Sequence, residues 1–348
     1  MTDDMNISEM LAEQLERFLT KTVDRNLLIQ VEKGTAAAEL WQELEGMGIC
    51  SALVSEEAGG AGLSWTDTEA SLRTLGRHGS PAPIAETMLA NWVLSRASLT
   101  APEGPIAVST ELFTLNTDGT LSGSDRSVAW LPSCEHLVVI AQRNDQAHVC
   151  LLNQDSYSTD SQETLSREPH SALRLDHVTP VEVAPVDGLA SNGLKPYLAT
   201  IRAIQISGAL EQLLELSVEY GNTREQFGRP IGKFQAIQHS IATLASQTAA
   251  AQVAAMYACR QIDAGYAEKG AMVAKVRAGQ SASAGAEIAH QVFGAIGFTD
   301  EHILHYFTRR LWQWRTEAGS EYWWAEQLGA KVIAAGGDAL WPSITAKS

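Results

Sequence analysis

Tyr220–Ser240 reads YGNTREQFGRPIGKFQAIQHS, a basic, glycine-punctuated turn that runs straight into an alanine-rich segment. A cation and an aromatic at a turn, followed by a helix that opens with free N–H groups, suit a flat anionic ligand such as the pyrophosphate and ring of a dinucleotide. Arg224, Phe227 and Gln235 carry that reading. Taken singly they are equally a solvated arginine, a core phenylalanine and a glutamine on a wet helix face. Further along, QVFGAIGF (Gln291–Phe298) supplies a second glycine-bearing turn.

The order RxQFGRPIGxFQAIQH, a helical spacer, QxxGxxGF and an aromatic, basic segment ending in GSE resembles the C-terminal domain of the acyl-CoA dehydrogenase flavoenzymes over residues 196–335. LVSEEAGGAGLSWTDTEASLRTLGRHGS (Leu53–Ser80) resembles, more weakly, the glycine-rich loop of that family and the helix after it. The resemblance implies a mainly α fold with a small β domain. An N-terminal helical domain (1–100) would precede a shortened antiparallel β domain (101–190) and a C-terminal four-helix bundle with FAD-contacting loops (191–348). It implies FAD as cofactor, an acyl-CoA substrate and an electron-transfer flavoprotein or similar acceptor. A carboxylate base would take the α proton while the β hydrogen leaves as hydride to the flavin.

Carried over residue by residue, Arg224 and Phe227 match positions that reach the FAD of a neighbouring subunit, and Gln235 matches a glutamine on the next helix. Gln291, Gly294 and Ala295 fall on the QxxGG adenosine-side loop, with Ala295 in place of the second glycine, a mild change unless φ is positive there. The terminal YEGTS motif lands on Glu317–Glu321, which makes Ser320 a further cofactor candidate and puts Ala318 where the family has its glutamate. Glu317 stands one residue early and is the candidate base, against a capping or solvated role. The other family position for a base falls near Leu198 and holds no carboxylate. No counterpart of TEPxxGSD or of the Trp-Ile-Thr segment that holds the flavin ring is found, and the nearest fragment, Leu121–Asp125, reads as a turn.

A stripped β domain together with a displaced base resembles the reduced subunit of heteromeric dehydrogenases that shorten steroid side chains as CoA thioesters. The partner is then a homologous subunit in a heterotetramer. The alternatives are a self-sufficient homo-oligomer with Glu317 as base, and a non-catalytic binding or assembly protein that kept the fold.

Composition bounds these readings. At 348 residues, 45% hydrophobic and 19% charged, the chain can bury a large core in two or three subdomains. Its formal net charge of −16 disfavours nucleic acid and membrane surfaces, which are themselves polyanionic. Apolar runs stop well short of the ~18 residues a membrane span needs, and MTDDMNISEM is acidic where a signal peptide is basic, so a cytoplasmic protein is expected. Cys50, Cys134, Cys150 and Cys259 are far apart, which predicts free, buried thiols.

Residues 6–98 show helical periodicity, with Ile7, Met10, Leu11, Leu15, Phe18 and Leu19 on one stripe and Leu40, Trp41, Leu44 and Met47 on another. Gly59, Gly60 and Gly62 predict a structural turn, with no Lys-Ser/Thr after them to make a phosphate loop, and Thr66 reads as the cap of the next helix. Short β-like runs occupy 105–186, separated by polar stretches at Thr117–Ser124 and Asn153–Thr164. From Pro196 onward the chain reads as long antiparallel helices. Arg309, Arg310 and Arg315 suit either a positive patch or a solvated helix end. Glu301, His302 and His305 fall within one turn of a helix but lack further ligands, so no metal is expected. Trp312, Trp314, Trp323 and Trp324 fit either a bulky acyl pocket or core packing.

Overall fold

The computed structural model describes residues 7–35 and 37–345. The described residues up to Ser71, together with Ser80–Leu198, make one compact unit, and Leu72–Gly79 with Ala199 onward make a second.

In the first unit, α1 (Ile7–Thr22), α2 (Arg25–Glu32), α3 (Ala38–Gly46) and α5 (Ile84–Arg96) are joined by the first turns of α4 (Trp65–His78). Helix α1 buries Leu11, Leu15 and Leu19, whereas Ile7 and Met10 are 61% and 52% exposed, so the apolar stripe is narrower than the sequence suggests. Asp24 caps α2 by accepting from the Leu27 N–H at 2.8 Å. Helix α4 is capped by Ser64 rather than Thr66: the Ser64 hydroxyl accepts from the Asp67 N–H, and the Asp67 carboxylate accepts from the Ser64 N–H, each at 3.1 Å. That reciprocal pair satisfies two otherwise orphaned donors, which a cap at Thr66 would leave open. Ahead of it the glycine loop doubles back on itself. A Cβ on Gly60 would lie 2.2 Å from the Val54 carbonyl oxygen, so only glycine fits this structural turn.

The sheet has strand order β5-β6-β2-β1-β3-β4-β7, from β1 (Ile106–Leu115), β2 (Leu121–Ala129), β3 (His136–Arg143), β4 (Gln146–Asn153), β5 (Ser158–Gln162), β6 (His170–Val178) and β7 (Glu182–Pro185). It is mixed rather than antiparallel, because β1 and β3 run parallel. β2 turns back beside β1 through Asn116–Thr120, and the chain then passes through the short helix Leu131–Ser133, so β3 arrives on the other side of β1 running the same way. Leu121–Asp125 is therefore strand, not turn. Its Asp125 is buried and accepts from the Ser109 hydroxyl at 2.6 Å. β5 lies within a stretch whose sequence reads as loop, because an edge strand exposed on nearly every residue shows no apolar alternation.

The second unit is built on α6 (Lys195–Thr223, from Ala199), α7 (Gln235–Asp263), α8 (Ala267–Phe293), α9 (Leu304–Trp314), α10 (Glu321–Ala335) and α11 (Gly337–Thr345). α7 and α8 form an antiparallel hairpin that turns at Gly265, where φ is 84°. Their alanines, with Leu210, Leu213, Phe307 and Trp314, form the core. Helix α6 and the end of α4 approach backbone to backbone: a Cβ on Gly76 would lie 2.2 Å from the Gln205 carbonyl oxygen, and one on Gly208 would lie 2.0 Å from that of Arg73. Arg73–Glu211 and Arg77–Glu215 pairs, both at 2.8 Å, flank this crossing. Among the described residues no helix is long and apolar enough to cross a membrane, and all four cysteines are free and buried.

Candidate active site

Helix α6 delivers the chain into a small hairpin, β8 (Glu225–Gln226) against β9 (Arg229–Pro230). Its two-residue loop is Phe227-Gly228, with φ of 55° and 79°, the twist that a tight hairpin requires. A bulky residue at positive φ is uncommon and costs about 1–2 kcal/mol. Phe227 accepts that conformation and is 91% exposed, so the turn presents a ring to the outside instead of filling the core. Arg229 lies over the Phe234 ring at 4.3 Å, and Phe227 meets the same ring edge-on at 6.1 Å, which stiffens the display.

Arg224, Gln226 and Phe227 line one side of a cavity of about 590 Å³ whose other side comes from Gln291, Gly294 and Ala295. Tyr220 and Phe293, stacked at 4.3 Å, form part of its wall. Two turns far apart in the sequence thus converge on one apolar-walled, arginine-tipped cleft. Gly294 ends α8 with φ 62°, ψ −142°, a conformation that suits glycine, and a Cβ there would meet open space. Ala295 lies outside the positive-φ region, so the replacement of a glycine carries no backbone strain. Gln235 begins α7 on an exposed position outside this lining, and Ser320 caps α10 by accepting from the Trp323 N–H.

Behind Phe298 lies His290, stacked on it at 4.1 Å with Nε2 at 2.9 Å from the Thr308 hydroxyl. Burial lowers its basicity and holds it neutral near pH 7. His302 precedes α9, where its Nδ1 accepts from the Leu304 N–H, so Glu301, His302 and His305 do not share a helical turn. No cluster of metal-ligating side chains occurs among the described residues.

The turn between α9 and α10 holds Glu317. Its carboxylate does not cap a helix and is largely screened from solvent: Oε2 accepts from Nε of Arg202 at 2.6 Å, with the two side chains 9% and 2% exposed. Arg202 also donates to Oε1 of Gln205. From α8, the fully buried Lys275 donates to the carbonyls of Trp314, Arg315 and Glu317 at 2.7, 3.1 and 2.7 Å. Burial pulls this ammonium down to about 7, with Glu317 and Glu321 opposing the fall and Arg202 and Arg315 adding to it. Three carbonyl acceptors match all three hydrogens of an ammonium, so the geometry of this cage suits the charged form. Ala318, at φ 52°, accepts at its carbonyl from the Trp324 indole at 3.0 Å. The turn is fixed from every side.

Arg315 pairs with Glu321, Arg310 is fully buried and donates to the Tyr306 carbonyl, and Arg309 lies over the Tyr306 ring. These arginines make neither a positive patch nor a solvated helix end. Trp314 and Trp324 are core residues. Sequence reasoning missed Arg202 and Lys275. Their signal was present: a lone cation in the apolar run ATIRAIQISGAL and another in AMVAKV, each needing a partner once those helices pack.

Residues 6–99 match the acyl-CoA dehydrogenase N-terminal domain and residues 199–331 the acyl-CoA dehydrogenase C-terminal domain. The chain belongs to the acyl-CoA dehydrogenase family, whose cofactor is FAD. It is 31% identical over 273 residues to acyl-CoA dehydrogenase IpdE2 of Mycobacterium tuberculosis, covering 78% of this chain and 79% of that protein. It is 30% identical over 307 residues to acyl-CoA dehydrogenase FadE34 of the same organism, covering 82% of this chain but only 41% of that longer protein. Among solved structures, a variant of the Tcur3481-Tcur3483 steroid ACAD matches with TM-score 0.84 at 25% identity, covering 94% of this chain and 98% of that one. The ChsE4-ChsE5 complex from Mycobacterium tuberculosis shares the fold, with TM-score 0.86 at 20% identity over 95% of this chain and 98% of that one. The mainly helical fold with a sheet domain is thus that of the family.

Proposed function

We propose that this chain is the supporting subunit of a heteromeric, FAD-dependent acyl-CoA dehydrogenase, lending cofactor contacts to a homologous partner that holds the base. The observation that carries this reading is the buried Arg202–Glu317 pair. Both the charge and an oxygen of the one candidate base are already committed to a guanidinium, while the family glutamate position is Ala318. A base must reach the α proton of the substrate, and this carboxylate is held against a guanidinium instead.

FAD, when bound, supplies the acceptor for the β hydride. On this chain Arg224 would meet its pyrophosphate, Phe227 would reach across to the partner's side, and Gln291, Gly294 and Ala295 would carry the adenosine side. The cleft they line has one cation, an open glycine backbone and aromatic walls, which suits that group. Gln235, exposed at the start of α7, is free to join from the helix, whereas the Ser320 oxygen is taken up in capping α10. In the complex the partner's carboxylate takes the α proton of the thioester as the β hydrogen leaves with its electron pair. The two electrons would pass on to an electron-transfer flavoprotein or similar acceptor. The likeness to a steroid ACAD supports a bulky, steroid-derived acyl-CoA as substrate in lipid β-oxidation. Four buried, unbridged thiols suit a reducing compartment, the cytoplasm.

Co-expression with candidate partner dehydrogenase subunits, followed by size determination and flavin-to-protein ratio, tests this. The chain alone is expected to purify with little flavin, and the heteromer with a full yellow complement that an acyl-CoA bleaches. A homo-oligomer that holds flavin stoichiometrically and is reduced by acyl-CoA would overturn the proposal.

A further inference from the structure

The N-terminal unit contains a second cavity, of about 350 Å³, that shares no residue with the Arg224 cleft. Its floor is Val31, Ala82 and Trp130, all buried; its rim includes Thr35 and Ser133, both exposed. Trp41 lines it as well, half-buried, and proline rings fill much of the remaining wall. Among the described residues no charged side chain lines it. Among the described lining residues, side-chain hydroxyls occur at Thr35 and Ser133.

Trp130 is held there at a cost. It follows β2 with φ 61°, ψ 3°, and its N–H donates to the Pro169 carbonyl at 2.6 Å. A bulky residue in the left-handed region is a genuine outlier, and such strain marks places where the side chain's position matters. Here it puts an indole in the floor of an open-mouthed apolar cavity. Volume and lining match those of sites for small, mostly apolar ligands.

We infer that this cavity binds an uncharged, flat, ring-bearing molecule, stacked between Trp41 and Trp130 with at most one hydroxyl or carbonyl turned to the Ser133 and Thr35 rim. An anionic ligand is excluded by the chemistry of the walls. No cation lines the cavity, so a carboxylate or phosphate would lose its hydration without a partner. The site is therefore not another cofactor or CoA pocket, and the inference stands independently of the proposed dehydrogenase role.

The test uses the full chain labelled with 5-fluorotryptophan, with ¹⁹F resonances assigned by Trp41→Phe and Trp130→Phe. The probes are 2-naphthol and the same ring with a charge, 2-naphthoate. Saturable shifts of the Trp41 and Trp130 resonances with 2-naphthol are expected, and binding of 2-naphthoate weaker by about tenfold or more. Ala82→Leu fills the floor and should abolish the shifts while the melting transition stays in place. Should that variant unfold, Ser133→Phe decides instead, because it blocks the mouth from an exposed position. Absence of saturable shifts, shifts confined to other tryptophans, equal binding of the charged probe, or shifts that persist in a folded blocked variant would each overturn the inference.

Discussion

Arg202→Met is expected to destabilise the chain by about 3–5 kcal/mol, measured as a fall in the denaturation midpoint, because it leaves the Glu317 carboxylate buried without its counter-ion. The side chain it removes is 2% exposed and the partner carboxylate 9% exposed, with 2.6 Å between the paired atoms, so little solvent is at hand to replace the guanidinium. Methionine keeps most of the apolar stem, which confines the loss to the charge and its hydrogen bonds, that to Gln205 included. The double change Arg202→Met with Glu317→Leu should recover most of the stability, since replacing both members of a buried pair by apolar groups is often neutral or better. A small single-mutant effect, within about 0.5 kcal/mol of the parent, would mean that the carboxylate escapes to solvent and that the pair does not lock the turn.

The second large effect is on the cofactor. Arg224 stands at the edge of the 590 Å³ cleft, the lone cation among its lining residues. A charge-assisted contact to a phosphate is worth about 1.5–3 kcal/mol, so Arg224→Ala should lower FAD occupancy of the assembled enzyme about tenfold or more. The arginine is exposed and follows the end of α6, so the fold should be unaffected. Flavin absorbance per chain after gel filtration reads the effect directly. Unchanged flavin content in Arg224→Ala would remove this residue from the cofactor site.

Much of this molecule is legible in the sequence, and the parts that are not have physical reasons. The turns around Arg224 and Gln291 announce themselves by glycine spacing, and they do meet at one cleft. The helices are read from 3.6-residue periodicity, and their long alanine runs pack as expected. What failed is what depends on neighbours distant in the chain. The parallel β1–β3 pairing depends on which side of β1 the chain returns to, and no local pattern encodes that. The edge strand β5 has no buried face to alternate against. Above all, the surroundings of Glu317 are set by Arg202 on one helix and by Lys275 on another. A carboxylate read alone is equally a base, a cap or a solvated charge, and the guanidinium beside this one comes from a distant part of the chain.

The same pair leads to the most direct test of the account, flavin reduction by an acyl-CoA in the assembled enzyme carrying Glu317→Gln. The amide keeps the shape of the side chain and can still accept from Arg202, so the complex should assemble with its full flavin content. If this chain supports a partner that holds the base, the rate of flavin reduction should stay close to that of the unmodified complex. If Glu317 is the base, loss of its proton-accepting oxygen should slow reduction by about 10²–10⁴-fold with flavin still bound. Retained reduction is the result the account predicts, and near-complete loss of reduction at unchanged flavin content is the result that would contradict it.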